Sequence, residues 1–377
     1  MSDKKIAIMT WLYNGNYGTM LQAYALHNFV KNNGYDVENI NYKSSTKTKL
    51  LNWLQNRNSP TLFVEKFKGL FGKKDSADDV KRNKNFAKFK EKNIKLSKVV
   101  TSPEEVATLS NDYDVFICGS DQIWSPFIMV PVFYLYNVAP GKRKIAYAPS
   151  LGVTDTTDRK KEQIKGYLKS FDYVSVREVG GQKFLKNITG NEYPVCLDPT
   201  MLLKTEDWNK CIGEPIIKDK YIFCYMLTYN ESYVNALKKF ADKRNLKVIL
   251  IKNDTGFENC GFDIVEDAGP EQWLNYIKNA EYVFTDSFHG CIFSNIFHKD
   301  FVLFKRFDDS NKKSQNSRIY TLADMLGFRD EIIDKNNLDK IESIKPLDYQ
   351  KIDSILEEKS SVSKKWLLNA LEDVCNK

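Results

Sequence analysis

Histidine is scarce in this sequence, which has only three among its 377 residues. The seven cysteines are scattered, and no two of them are spaced as Cys-x-x-Cys. Because zinc sites need clustered cysteine and histidine ligands, we predict no metal site. Scattered and unpaired cysteines are typical of a reducing compartment, and we therefore expect a cytoplasmic protein.

Long apolar runs are also lacking, and none approaches the roughly 20 residues that a membrane-spanning helix needs. The chain leads directly into an apolar run at Ile6, so we expect no signal peptide. The net charge of +7 fits an anionic small substrate, a membrane surface or nucleic acid, and does not choose among them. Since no basic, aromatic sheet or DNA-reading helix is evident, we expect no nucleic-acid partner.

The sequence instead alternates short apolar runs with amphipathic segments, in two series that meet near residues 205–218. Each apolar run ends in glycine or polar residues, which is the pattern of buried parallel strands with a site at their carboxyl ends. We predict an α/β protein with two Rossmann-like domains that face a cleft, formed by residues 1–205 and 206–350. A C-terminal helix, 351–377, is expected to cross back onto the first domain.

Residues 43–97 interrupt the alternation with a stretch that is rich in lysine and asparagine. We predict a helical insertion with two apolar stripes, at residues 50–54 and 63–71. In one interpretation the stripes pack on the insertion's own domain. In the other they form a basic amphipathic surface that contacts anionic lipid at the inner face of the membrane.

The loop after the first apolar run contains Asn14, Asn16 and Tyr17 and leads into a predicted helix. Its glycines lack the spacing of the dinucleotide-binding fingerprint, so NAD is not expected, and we predict no other cofactor. The three polar side chains either hydrogen-bond a sugar or only shape the turn.

His289 lies between the apolar run Tyr282–Thr285 and a helical repeat of apolar residues. This position is the carboxyl end of a predicted strand and the first turn of a predicted helix. Ligands bind at that edge of an open α/β sheet, and a helix start offers free N–H groups to an anion. The alternative is a histidine that only hydrogen-bonds at a helix terminus.

Several short motifs follow one another in a fixed order: NYGT at 16–19, QAYAL at 22–26, GSDQIW at 119–124, YAPSLG at 147–152, SVRE at 175–178, LDPT at 197–200 and TDSFHG at 285–290. Together they resemble the polysaccharide pyruvyl transferase family, from the first strand to about Gly327. The resemblance implies a two-domain fold like that of GT-B glycosyltransferases. It also implies phosphoenolpyruvate as the donor and a sugar as the acceptor, with a pyruvate ketal as the product.

In this resemblance the catalytic histidine falls on His289, and the arginine that holds the donor falls on Arg177. Characterised members carry a second donor-binding arginine where this chain has Ser287. Either another cation replaces it or this branch uses a different donor. The candidates for replacement are Lys305, Arg306 and Arg318. We predict that Arg318 points into the cleft near His289, although a surface charge at a helix end is the alternative.

Two carboxylates, Asp121 and Asp198, follow predicted strands in the matching motifs. They act as bases or hydroxyl-orienting groups, or they only cap helices and brace turns. We assign catalysis to His289 and Asp121, because proton transfer during ketal formation suits a histidine. Substrate binding is assigned to Arg177, Arg318, Ser287, Gly290, Lys305, Arg306, Asn14, Asn16, Tyr17, Gln122 and Asp198.

The resulting hypothesis is a pyruvyl transferase of capsule or exopolysaccharide synthesis that acts on a lipid-linked or nucleotide-linked glycan. The first alternative is a GT-B glycosyltransferase that uses a nucleotide sugar, which the fold alone does not exclude. The second is a glycan- or anion-binding homologue without activity, which the serine at position 287 makes conceivable.

Overall fold

The computed structural model describes residues 4–12, 15–45, 77–310, 314–344 and 346–376. Asn14 and both apolar stripes of the predicted insertion lie outside these residues, so contact with an anionic membrane stays a prediction. Within the described residues, no helix is long and apolar enough to cross a membrane. All seven cysteines are buried free thiols.

The strands of the first sheet are β1 Lys5–Met9, β2 Asp36–Tyr42, β3 Leu96–Val100, β4 Val115–Cys118, β5 Arg143–Ala146 and β6 Tyr173–Val174. They are all parallel and lie in the order β3-β2-β1-β4-β5-β6. This is the strand order of a Rossmann domain, in which the direction of the winding reverses between β1 and β4.

The strands of the second sheet are β7 Tyr221–Tyr225, β8 Lys247–Ile251, β9 Asp263–Val265, β10 Tyr282–Thr285, β11 Asp300–Phe304 and β12 Ile332–Ile333. Their order, β12-β11-β10-β7-β8-β9, repeats the Rossmann winding with its reversal between β7 and β10. Two separate parallel sheets of this kind confirm the prediction of two Rossmann-like domains.

The α-helices of the described residues are α1 Tyr17–Asn32, α2 Ala77–Asn93, α3 Pro103–Leu109, α4 Asp158–Leu168, α5 Val179–Thr189, α6 Thr205–Asn209, α7 Glu231–Arg244, α8 Pro270–Asn279, α9 Phe288–Ile296, α10 Asn316–Leu326 and α11 Tyr349–Asn376. Helix α1 is buried on nearly all sides. A helix that is buried all round must pack on two layers at once, and α1 lies between the first sheet and the second domain.

The predicted insertion at 43–97 is not helical throughout, because its last residues belong to β3 and pair with β2. Its described helix, α2, packs Phe86 and Phe89 into the same apolar core as Trp273 of the second domain. Asn85 adds a hydrogen bond from its Nδ2 to the carbonyl of Asp267, at 2.9 Å. Helix α2 therefore bridges the two domains.

Helix α11 crosses from the second domain to the first, as predicted from the sequence. Near its start, Ile352 packs in the core that contains most of the second domain's apolar residues. Near its end, Leu367 and Leu371 pack under the first sheet. In between, the Ser363 hydroxyl accepts a hydrogen bond from the Leu197 N–H at 3.0 Å.

Replacement of the fully buried Leu371 by alanine should destabilise the protein by about 2–5 kcal/mol, because it leaves a cavity between α11 and the first sheet. Val362 on the same helix is 60% exposed, and Val362→Ala should change the free energy of unfolding by less than about 0.5 kcal/mol. Urea unfolding measures both. Equal stability of the two variants would mean that α11 does not pack across the first domain.

Candidate active site

One cavity lies where the two Rossmann-like domains meet, at the carboxyl ends of the strands that flank each reversal of winding. It measures ≈ 140 Å³. The first domain supplies residues after β1 and β4, and the second supplies residues after β7, β10 and β11. The lining residues are Trp11, Asn16, Gly18, Asp121, Gln122, Tyr225, Leu227, Asp286, Ser287, Phe288, His289, Arg306, Phe307, Gln315, Asn316, Arg318 and Ile319.

A short hydrogen-bond network fixes the turn from β10 into α9 and thereby positions His289. The Thr285 hydroxyl donates to the carbonyl of Tyr225 at 2.7 Å and accepts from the Ser287 N–H at 3.0 Å. Ser287 is the N-cap of α9, and its hydroxyl accepts from the Gly290 N–H at 3.3 Å. His289 therefore lies in the first turn of the helix, as the sequence predicts.

The His289 ring is enclosed by groups from the first domain. A Cβ added to Gly18, in the first turn of α1, would lie only 2.0 Å from Nδ1, so the ring packs directly on that glycine. On the opposite side, Nε2 lies 3.4 Å from Asp198 Oδ2. The histidine is thus held between two elements of the other domain, and only 7% of the residue is exposed.

Arg177 lies beneath the cavity and not in its wall, which corrects the expectation that it contacts the donor directly. Its Nη1 donates to Asp198 at 2.7 Å, and its other nitrogens lie 3.6 Å from Asp121 and 4.0 Å from Glu178. Burial opposes the charged form, but the three carboxylates raise the pKa of the guanidinium above its usual value. Its charge is therefore neutralised within the protein.

Asp198 is also removed from the substrate, because it is completely buried. One oxygen accepts hydrogen bonds from the Thr200 N–H and hydroxyl, at 3.0 and 2.8 Å. Burial alone would raise the pKa of this carboxyl, but His289 and Arg177 hold it well below its usual range. Asp198 thus lies behind the histidine and outside the cavity lining, where substrate binding was predicted.

Asp121, in contrast, does line the cavity, although its oxygens are engaged. One accepts a hydrogen bond from the Thr19 hydroxyl at 2.5 Å, and the other lies near Arg177. Among the described residues, no group of three or more acidic, histidine or cysteine side chains is arranged to hold a metal ion.

Two of the three candidate cations line the cavity. Arg318 lies with its guanidinium 5.8 Å from the Phe288 ring, and its Nη2 donates to Gln315 at 2.8 Å. Burial and the nearby charge of Arg177 lower the pKa of Arg318 to about 10, so it stays protonated at neutral pH. Arg306 donates from Nε to the Thr228 hydroxyl at 2.9 Å. Lys305 is outside the lining residues and is paired with Asp309 at 2.7 Å.

The remaining predicted binding residues divide into two groups. Asn16 and Gln122 line the cavity, as does Ser287. Tyr17 lies outside the cavity lining. It is buried between the domains and stacked on Trp273, with its hydroxyl donating to the carbonyl of Ala268 at 2.8 Å. Gly290 also lies outside the cavity lining, and its N–H donates to the Ser287 hydroxyl that caps α9.

Trp11 and Asp286 are among the lining residues that were not predicted as site residues from the sequence. Trp11 lies two residues after β1 and Asp286 directly follows β10, at the edge where ligands bind, and that position was the available signal. Asp286 accepts hydrogen bonds from the N–H groups of Leu227 and Thr228, at 2.6 and 3.3 Å. Burial nevertheless raises the pKa of its carboxyl to about 6.

Known structures with the same architecture include glycosyltransferases and epimerases. An α-glucosyltransferase in complex with UDP and a 13-mer DNA superposes with a TM-score of 0.52 at 10% identity, covering 99% of this chain and 100% of that one. AviGT4, a glycosyltransferase of avilamycin A biosynthesis, superposes with a TM-score of 0.50 at 10% identity, covering 99% of each chain. At such low identity these similarities define the fold class alone, which is GT-B.

The sequence itself matches the polysaccharide pyruvyl transferase family over residues 16–308. The chain therefore belongs to that family and is a transferase, which confirms the resemblance seen in the ordered motifs. A comparison with curated protein sequences finds no match.

The raised pKa of Asp286 predicts a pH-dependent effect of Asp286→Asn on stability. The pKa of Asp286 is about 6 in the folded protein and 3.8 for an unperturbed aspartate. The wild type therefore loses stability as pH rises from the lower of these values to the higher. The amide carries no such cost. The free energy of unfolding of the variant, relative to wild type, should therefore rise by roughly 2 kcal/mol between pH 4.5 and 7.5.

Chemical denaturation at the two pH values measures this difference, and any pH-independent cost of the altered hydrogen bonds cancels. Asp219, whose side chain is 86% exposed, provides the control Asp219→Asn. A relative stability of Asp286→Asn that is the same at both pH values would contradict the prediction.

Proposed function

We propose that this protein transfers the enolpyruvyl group of phosphoenolpyruvate to a sugar and closes it into a pyruvate ketal, in capsule or exopolysaccharide synthesis. The acceptor is part of a lipid-linked or nucleotide-linked glycan. The observation that carries the proposal is the placement of His289 in a small cavity with an anion-binding wall on one domain and a polar, aromatic wall on the other.

The wall from the second domain suits the donor. Phosphoenolpyruvate carries a carboxylate and a phosphate, and both are bound well by arginine and by helix N-termini. Arg318 and Arg306 lie beside the first turn of α9, and Arg318 Nε is buried without a hydrogen-bond partner among the described residues. We infer that Arg318 supplies the charge that other family members place at the position of Ser287.

The wall from the first domain suits a sugar acceptor. Trp11 presents a partly exposed indole that is supported edge-on by Phe133, with ring centroids 5.9 Å apart. Asn16 and Gln122 add planar amides, and Asp121 adds a carboxylate. Sites of this kind combine an apolar surface with a few polar groups that fix the ligand's orientation.

The reaction needs an acid first and a base afterwards. One sugar hydroxyl adds to C2 of phosphoenolpyruvate while C3 takes a proton from the protonated histidine, which then accepts the proton of that hydroxyl. The bond from C2 to the phosphate oxygen then breaks, a second hydroxyl closes the ring, and its proton leaves with the phosphate. In our proposal His289 donates and then accepts these protons, while Asp121 orients the acceptor hydroxyls.

The size of the cavity favours this donor over a nucleotide sugar. Sites for drug-sized ligands occupy roughly 300–1,000 Å³, whereas this cavity measures ≈ 140 Å³. A nucleotide sugar is larger than such ligands, and phosphoenolpyruvate is much smaller.

The donor is tested by thermal unfolding with phosphoenolpyruvate and, separately, with UDP-glucose. A bound donor at 100 times its Kd stabilises the folded protein by about 2.7 kcal/mol. We expect stabilisation by phosphoenolpyruvate alone, and a pyruvate-sized mass gain in glycans from cells that contain the gene. A hexose-sized gain with stabilisation by UDP-glucose would instead indicate a glycosyltransferase. Stabilisation by phosphoenolpyruvate without any product would indicate a binding protein.

Arg318→Ala should weaken phosphoenolpyruvate binding by about 10- to 100-fold, because a charge-assisted hydrogen-bonded pair contributes roughly 1.5–3 kcal/mol. Arg318→Lys should recover only part of the affinity, since lysine lacks the bidentate fork of the guanidinium. Isothermal titration measures the Kd of each variant.

Arg329→Ala is the matched control, because Arg329 follows α10 but is paired with Asp324, with its side chain 40% exposed and outside the cavity. The Kd of Arg329→Ala for phosphoenolpyruvate should equal that of the wild type. Unchanged affinity in Arg318→Ala would mean that Arg318 is not part of the donor site. It would favour the alternative that this branch of the family uses a different donor.

A further inference from the structure

The two nitrogens of the His289 ring have different surroundings. Nε2 is buried and has no group within hydrogen-bonding geometry among the described residues. The polar atom recorded close to it is Asp198 Oδ2, at 3.4 Å. Nδ1 lies on the other edge of the ring, against Gly18, which itself lines the cavity. Because His289 lines the cavity and its Nε2 is buried against Asp198, the ring nitrogen left to meet a substrate is Nδ1.

Asp198 can only accept a hydrogen bond from the histidine. The Thr200 N–H and hydroxyl donate to its Oδ1, as expected of a carboxylate that only accepts. Arg177 donates to Oδ2 and fixes that oxygen beside the ring. A lone pair on Nε2 would face a negative oxygen, whereas an Nε2–H would be attracted to it. Catalytic contacts are often this long in the absence of substrate and shorten when it binds.

We propose that Asp198 is a positioning residue that holds His289 as the Nε2–H tautomer, so that Nδ1 is the atom that exchanges protons with the substrate. In this arrangement the protonated ring donates from Nδ1 to the methylene carbon, and the Nδ1 lone pair that is left then accepts the hydroxyl proton. The tautomer follows from the buried geometry, while its catalytic use rests on the function proposed above.

The scarcity of histidine makes this proposal directly measurable, because only three imidazoles contribute to a ¹⁵N NMR spectrum of labelled protein. His27 is an internal standard of the opposite kind. The Lys95 N–H donates to its Nε2 at 3.4 Å, and its Nδ1 lies 2.8 Å from Asn39 Oδ1, so His27 is the Nδ1–H tautomer. His289→Gln identifies the His289 signals by their absence.

We expect the wild-type protein at a pH where its histidines are neutral to show His289 with a protonated Nε2 and His27 with a protonated Nδ1. The two rings should then differ in which nitrogen shows the large one-bond coupling to hydrogen. A protonated Nδ1 on neutral His289 would overturn the proposal, and this readout does not need enzymatic activity.

Asp198→Asn tests the catalytic consequence, because an amide at this position can donate to Nε2 and favour the other tautomer. We expect kcat to fall by about 10²- to 10⁴-fold with the Kd for phosphoenolpyruvate nearly unchanged. The His289 signals should shift toward the Nδ1–H pattern. Asp353→Asn is the matched control, since Asp353 pairs in the same way with the exposed His298, at 2.9 Å.

The control should leave kcat and the His289 signals unchanged. An Asp198→Asn protein that folds, retains the wild-type kcat and binds phosphoenolpyruvate would overturn the positioning role. If instead the wild type forms no ketal from phosphoenolpyruvate, the proposed function fails, and the spectrum still decides the tautomer on its own.

Discussion

A single buried guanidinium, that of Arg177, fixes the geometry on which the rest of this site depends. Three carboxylates surround it, from Asp121, Glu178 and Asp198. A buried ion pair of this kind costs desolvation energy, and removal of one member leaves an uncompensated charge. What the ion pairs provide is a fixed position for the surrounding elements. Each carboxylate also holds another element: Glu178 accepts from Ser150 and from the N–H groups of residues 151 and 152, Asp121 accepts from Thr19, and Asp198 faces His289.

This arrangement explains why the cavity keeps a positive wall. Arg177 is neutralised from below, and the positive side chains among the described lining residues are those of Arg306 and Arg318, beside the first turn of α9. Both guanidiniums approach Phe288, that of Arg177 at 4.7 Å and that of Arg318 at 5.8 Å from the centroid of its ring. The electron-rich face of an aromatic ring attracts cations, so one side chain helps to accommodate two like charges in a small volume.

Strands that are buried on both faces can be predicted from the sequence, whereas the other strands are harder to predict. Strands β1, β4, β7 and β10 are covered on both faces and therefore read as continuous apolar runs. Strand β2 carries Asp36, Glu38 and Asn39 among its apolar residues, and β9 and β12 have only three and two residues, so no run marks them. The position of His289 follows from local sequence, whereas the burial of Tyr17 depends on the other domain, which no local pattern reveals.

The serine at position 287 shows how a site can divide two tasks between elements. An arginine there would bring charge to the first turn of α9 but could not cap the helix, because capping needs a short side chain that accepts a hydrogen bond. Ser287 supplies that cap. In our proposal the positive charge for the donor comes instead from Arg318 on α10, which lines the cavity and follows β11 in the same domain. The helix that carries His289 is therefore fixed independently of the cation, and α10 can vary the charge of the wall without moving the histidine.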